Sequence, residues 1–247
     1  MRSGVLELLV LDQDKNQFPE SNVNDRNFII AEDGKEYEVQ VRVYRDENGK
    51  FPSERFRIGL YIDGYDVPYW KRVDLTESSP KDSDEYVTAT FLGFKKNPSD
   101  LRSFKFSLPS LLSPNGNAEE KGDSKSVSQL GSIKTVLYKC SVVENSMFKN
   151  TGKFHEVPTS HCRFLNHRAE SLVDIINKPS LVTKAGRAFD QNWDLYRPVK
   201  KWKRNSKSGP DLQIEAPYHT ASVVKLIEKE AYSKTGGNQA ETKKRKR

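Results

Sequence analysis

The sequence predicts a mainly β fold, an antiparallel β-sandwich or jelly-roll-like body that carries a C-terminal helix and a basic tail. Three observations carry this expectation. Apolar residues alternate with polar ones along several short runs, which is the period of a strand with one face buried. Turn dipeptides that tolerate positive φ separate those runs. Helical periodicity is absent before about residue 165.

The first run is Val5-Leu6-Glu7-Leu8-Leu9-Val10-Leu11. It is interrupted by Glu7, stops at Asp12 and is too short to span a bilayer. It has no small-residue cleavage site, so a strand is expected and a signal peptide is not. Tyr37, Val39, Val41 and Val43 alternate with Glu38, Gln40 and Arg42. Phe56, Ile58, Leu60 and Ile62 repeat the pattern, as do Phe104, Phe106 and Leu108. Further strands are expected at 28–31, 67–75, 86–94 and 133–143, about eight in all, a count typical of sandwiches and jelly rolls. Asp33-Gly34, Asn48-Gly49 and Asp63-Gly64 lie between such runs, where hairpin turns belong.

Residues 109–129 are rich in Ser, Gly and Asn and read as a flexible loop within a sandwich domain of residues 1–144. Residues 145–232 read as a mixed basic extension. Within it, 169–177 forms a short helix, and Thr220 caps a second one near 220–232. In that helix Val223, Val224, Ile227 and Ala231 form an apolar stripe of the kind that packs on its own domain. Residues 233–247, rich in Gly, Gln and Lys, read as a disordered basic tail.

Three stretches add a resemblance. They are Leu60-Tyr61-Ile62-Asp63-Gly64-Tyr65-Asp66-Val67, Thr90-Phe91-Leu92-Gly93-Phe94 and Gly131-Ser132-Ile133-Lys134-Thr135-Val136-Leu137-Tyr138. Over roughly residues 30–142 the chain resembles an uncharacterised β-rich domain family of eukaryotic proteins common in fungi and oomycetes. The resemblance implies a sandwich and brings no catalytic residues with it.

The chain has 247 residues and a net charge of +7. Residues 1–142 carry 20 Lys and Arg against 23 Asp and Glu, while residues 143–247 carry 21 against 11. An electrostatic partner is therefore expected at the C-terminal part. Lys243, Lys244, Arg245, Lys246 and Arg247 resemble a short signal read by a nuclear import receptor; the competing reading is a solvated tail. Arg197, Lys200, Lys201, Trp202, Lys203, Arg204 and Lys207 form a second cluster, with an aromatic among cations. Its cations suit the phosphates of DNA or RNA, and Trp202 suits a base. The competing reading packs the tryptophan and leaves the charges in water.

His155, His161, Cys162 and His167 fall close together but match no zinc-finger spacing, so no metal or other cofactor is expected. Asp63 and Asp66 lack the rest of a calcium loop. Two cysteines, Cys140 and Cys162, make no disulfide framework and read as reduced thiols. No nucleophile elbow, phosphate loop or metalloprotease helix occurs. The expectation is a non-enzymatic nuclear (or nuclear and cytoplasmic) interaction protein, with an unidentified protein partner and no membrane partner. Two alternatives stand beside it: a capsid-like structural assembly protein, which sizing would separate, and an enzyme whose site is dispersed along the chain.

Overall fold

The alternating runs become strands of two stacked sheets in a computed structural model, which describes residues 1–67, 69–76, 85–97, 100–108, 130–146, 180–189 and 199–244. The described residues contain fifteen strands and one helix. The first sheet holds β1 (Arg2–Ser3), β2 (Leu6–Leu11), β5 (Glu36–Tyr44), β9 (Tyr86–Phe91), β10 (Gly93–Asn97), β11 (Asp100–Ser107) and β13 (Val182–Phe189). Its order is β1-β2-β5-β11-β10, with β9 also on β5 and β13 also on β11. The second sheet holds β3 (Glu20–Val23), β4 (Arg26–Ile30), β6 (Arg55–Ile62), β7 (Tyr65–Asp66), β8 (Lys71–Asp74), β12 (Ser132–Ser146), β14 (Val199–Arg204) and β15 (Leu212–His219). Its order is β3-β4-β15-β12-β6-β7, with β14 on β12 and β8 on β6. All pairings are antiparallel except that of β15 with β4.

Alternation decides which side chains meet between the sheets. Val39, Val41 and Val43 of β5 and Phe104 and Phe106 of β11 face Phe56, Ile58, Leu60 and Ile62 of β6 in one buried cluster. Tyr37 stacks on Phe106 with ring centroids 4.1 Å apart, and Phe106 meets Tyr218 of the opposite sheet at 4.9 Å. Burial of this set is the main stabilising term, at roughly 25 cal/mol for each Å² of apolar surface removed from water.

The sandwich does not end at residue 144. Strands β13, β14 and β15 belong to the two sheets, and β15 lies between β4 and β12 inside the second. Leu181 beside β13 and Ile214, Ala216 and Tyr218 of β15 therefore belong to the core and not to an extension. The period-two signal of β15 is present in Leu212, Ile214, Ala216 and Tyr218. It is weak because Ala and Pro217 are poor strand formers. The turn dipeptides also sort differently from expectation. Asp63-Gly64 joins the paired strands β6 and β7, with φ of 53° and 79°. Asp33-Gly34 and Asn48-Gly49 lie on connections that pass from one sheet to the other.

Helix α1 (Ala221–Lys244) follows β15 directly. The Thr220 carbonyl accepts the first helical bond from the Val224 amide, while its hydroxyl meets that of Ser222 at 3.0 Å. Val224, Ile227 and Ala231 pack on Val23, Phe28 and Ile30 of β3 and β4, so the stripe covers its own domain. The Ser21 hydroxyl donates to Glu228 at 2.8 Å, fixing the helix against β3. The helical backbone runs past residue 232, through the stretch that the sequence assigns to a disordered tail. Gly236 and Gly237 mark a stop, yet Gln239, Ala240, Glu241 and Lys243 are good helix formers. The expected loop at 109–129 and helix at 169–177 lie outside the described residues. No helix among the described residues is long and apolar enough to cross a membrane.

Candidate nucleic-acid interface

Strand alternation gives the second sheet an outer face of unusual composition. On β6 the inward Phe56, Ile58, Leu60 and Ile62 leave Arg57, Gly59 and Tyr61 outward. On β12 the inward Ile133, Thr135 and Leu137 leave Lys134, Val136, Tyr138 and Cys140 outward. Register places Tyr61 beside Lys134, Gly59 beside Val136 and Arg57 beside Tyr138. On the flanks, Arg72 of β8 pairs with Arg57, Arg204 of β14 with Cys140, and Trp202 with Val142. Tyr61, Trp70 and Trp202 pack half-buried over Val136, Tyr138 and Cys140.

Gly59 makes room for this arrangement. A Cβ at that position would lie 2.7 Å from the Trp70 ring, closer than any real contact. We expect Gly59→Ala to displace Trp70, red-shift tryptophan emission and lower stability by about 1–2 kcal/mol. In a Trp70→Ala background the same change is neutral or stabilising, because alanine suits a strand better than glycine does. Equal costs in both backgrounds would disprove the packing role.

The arginines sit on the rings. The Arg204 guanidinium lies 4.0 Å from the Tyr138 ring centroid and 5.0 Å from that of Trp70. Arg57 lies 5.2 Å from Trp70, and Arg72 lies 5.8 Å from Trp202. Trp70 and Tyr138 are themselves 5.6 Å apart. Burial pulls the Arg57 guanidinium below its ordinary pKa, and the like charge of Arg204 adds to this. Burial and then Arg57 do the same to Arg72. The Arg57 Nε is buried with no hydrogen-bond partner. Three mutually repelling cations are thus gathered over aromatic faces. Such a surface is chemically suited to an anion that also presents flat rings.

Of the sequence-predicted cluster, Trp202, Lys203 and Arg204 lie in β14, which also contains Lys200 and Lys201. Only part of it joins the face: Trp202 packs and Arg204 covers Tyr138, while alternation turns Lys203 the other way. Lys207 is exposed beyond the strand, and Arg197 lies outside the described residues. Arg57, Trp70, Arg72 and Tyr138 were not legible as site residues, because they come from three strands and a loop well before the basic region. Lys243 and Lys244 end α1; Arg245, Lys246 and Arg247 lie outside the described residues, as do His155, His161, Cys162 and His167. Among the described residues no group of His, Cys, Asp or Glu is arranged to hold a metal.

The other concentration of polar groups is internal. The Asp63 carboxylate accepts the Gly131 and Thr183 amides and the Tyr218 hydroxyl, each at 2.7 Å. The Tyr218 hydrogen is committed to Asp63. The Thr183 hydroxyl therefore donates to Tyr218 at 3.0 Å, and Tyr37 donates to Thr183 at 2.7 Å. The chain Tyr37–Thr183–Tyr218–Asp63 pins the first sheet to the second. Burial outweighs the three hydrogen bonds and raises the Asp63 pKa to about 6. Asp63 is thus an internal clamp. Nearby, Ser180 Oγ lies 3.2 Å from His219 Nδ1 and accepts the Thr220 amide. His219 is buried beside Phe28, which lowers its pKa, so the pair anchors the start of α1.

Fold and surface together define a two-sheet β-sandwich that displays an arginine–aromatic face. The chain belongs to the DUF7918 family, a domain of unknown function, which matches residues 9–162. That span extends the family likeness on both sides of residues 30–142. It includes Arg57, Trp70, Arg72 and Tyr138 and ends before β13, β14 and β15. No curated protein and no solved structure matches the chain.

Proposed function

We propose that this is a non-enzymatic nuclear interaction protein whose outer β6–β12–β14 face binds nucleic acid. The supporting observation is the placement of Arg57, Arg72 and Arg204 over Trp70, Tyr138 and Trp202 on one surface. Cations neutralise phosphates, and rings stack on bases. A purely structural set of cation–π contacts has no need to bring three like charges together. The C-terminal Lys243–Arg247 run supplies nuclear import in this reading. Removal of residues 243–247 is expected to abolish nuclear accumulation of a fluorescent fusion, and unchanged accumulation would remove import from the proposal.

Binding is tested with the intact chain and labelled oligonucleotides by fluorescence anisotropy across a salt series. Three phosphate contacts give a slope of log affinity against log salt of about −2 on a single strand. An absence of binding at low salt would refute the proposal and leave an acidic protein segment as the partner class to examine.

A further inference from the structure

A cleft of about 220 Å³ opens on the same outer face, lined by Tyr61, Lys134, Val136, Tyr138, Gln213 and Glu215 among others. We propose that it receives one unstacked base of a single-stranded nucleic acid, and that it favours bases carrying an exocyclic amino group. This inference rests on the nucleic-acid reading of the face and specifies its ligand.

Size, shape and polarity lead to it. The volume falls below the roughly 300 Å³ at which pockets for whole small molecules begin, yet it accommodates one planar ring. Two of its lining side chains, Tyr61 and Tyr138, are aromatic, which suits stacking of whichever base enters. Strand register brings the polar residues to one part of the cleft. Lys134 is registered between Tyr61 on β6 and Glu215 on β15, and Gln213 is registered beside Val136. A carboxylate acceptor, an amide that both donates and accepts, and an ammonium donor therefore line one rim. That set complements the amino group and ring acceptors of cytosine's Watson–Crick edge. Thymine and uracil present a carbonyl where cytosine has the amino group, and a carboxylate facing a carbonyl is repelled. A duplex has its Watson–Crick edges paired and its bases stacked within the helix, so it cannot fill the cleft.

The Arg57–Arg72–Arg204 cluster lies along the same face from the cleft, and Tyr138 belongs to both. A strand whose base sits between Tyr61 and Tyr138 has its adjoining phosphates over the guanidinium groups.

The experiment compares oligo(dC), oligo(dT) and a mixed duplex of equal length on the full chain at one salt concentration and neutral pH, by anisotropy. The expected result is oligo(dC) binding at least tenfold tighter than the duplex and severalfold tighter than oligo(dT). Glu215→Gln, a conservative change at an exposed position, is expected to bring the oligo(dC)-to-oligo(dT) ratio close to one, and Tyr61→Ala to reduce the single-strand advantage. Equal affinity for duplex and single strand overturns the inference, as does a base preference untouched by Glu215→Gln. In either of those cases, salt-dependent binding that still requires Arg72 and Arg204 leaves the broader nucleic-acid proposal standing. Absence of binding to every oligonucleotide overturns both.

Discussion

Replacement of Asp63 by alanine is expected to lower the unfolding free energy by about 4 kcal/mol, and by asparagine about 2 kcal/mol, measured by chemical denaturation. The carboxylate has three short donors, two of them backbone amides, in a region closed to water. Alanine leaves all three donors without an acceptor and must also adopt a φ of 53°, which aspartate and asparagine tolerate better. Asparagine keeps one acceptor oxygen but turns an amide NH₂ toward a backbone N–H. The two variants therefore separate loss of the anchor from loss of its charge.

The same residue gives stability a pH dependence whose sign is opposite to that of most carboxylates. The folded-state pKa is raised to about 6, against roughly 4 in an unfolded chain. Between those values the native state holds a proton that the unfolded state has released, so stability falls as pH rises through that window. The total change is roughly 3 kcal/mol, fully present as stabilisation below pH ~4 and gone above pH ~7. Asp12, Asp46 and Asp74 have lowered pKa values and contribute the opposite slope at lower pH. The difference between the native chain and Asp63→Asn isolates the Asp63 part. Parallel stability curves for the two proteins from pH 4.5 to 7.5 would show that Asp63 does not titrate in this way.

Asp63 also shows which parts of the structure were legible in sequence. Its local role was: Asp-Gly between two alternating runs marks a turn, and β6 and β7 do pair there. Its distant role was not, because Thr183 and Tyr218 lie 120 and 155 positions away in the chain. Period-two patterning depends only on neighbouring residues, so β5 and β6 were plain. Strand β15 was hidden because the residues opposite its partners include a small alanine and a proline, which pack acceptably in context but carry little intrinsic strand preference. The candidate interface divides in the same way. Trp202 and Arg204 stood out through local density of charge and aromaticity. Arg57, Arg72 and Trp70 look like ordinary members of two strands and a turn until register sets Arg57 beside Tyr138 and Arg72 beside Arg57, and Trp70 packs against the Tyr138 ring. Charge counting pointed to the C-terminal part, whereas two of the three arginines come from the mildly acidic N-terminal part.

Those arginines support the second large prediction. Arg72→Ala with Arg204→Ala is expected to weaken oligonucleotide binding by ~100-fold at low salt and to reduce the magnitude of the single-strand salt slope by about 1.4, leaving the share of Arg57. Both residues are exposed overall, with the Arg72 guanidinium only partly covered by its neighbours, so the pair can be removed without opening an internal cavity. Arg57 is left in place because it is half-buried against Trp70, and its loss would confuse packing with binding. Stability provides the internal control. Exposed cation–π contacts are worth no more than about 1 kcal/mol each, and removing two of three clustered like charges relieves repulsion that offsets the loss. The double variant should therefore melt close to the native temperature while binding collapses. If the arginines serve only to hold Trp70, Tyr138 and Trp202 in place, the outcome reverses: stability falls and any oligonucleotide binding keeps its salt slope. The two readings predict opposite responses of the same protein. The choice rests on electrostatics, since a cluster that repels itself in the free protein gains most when polyanion phosphates bring neutralising charge.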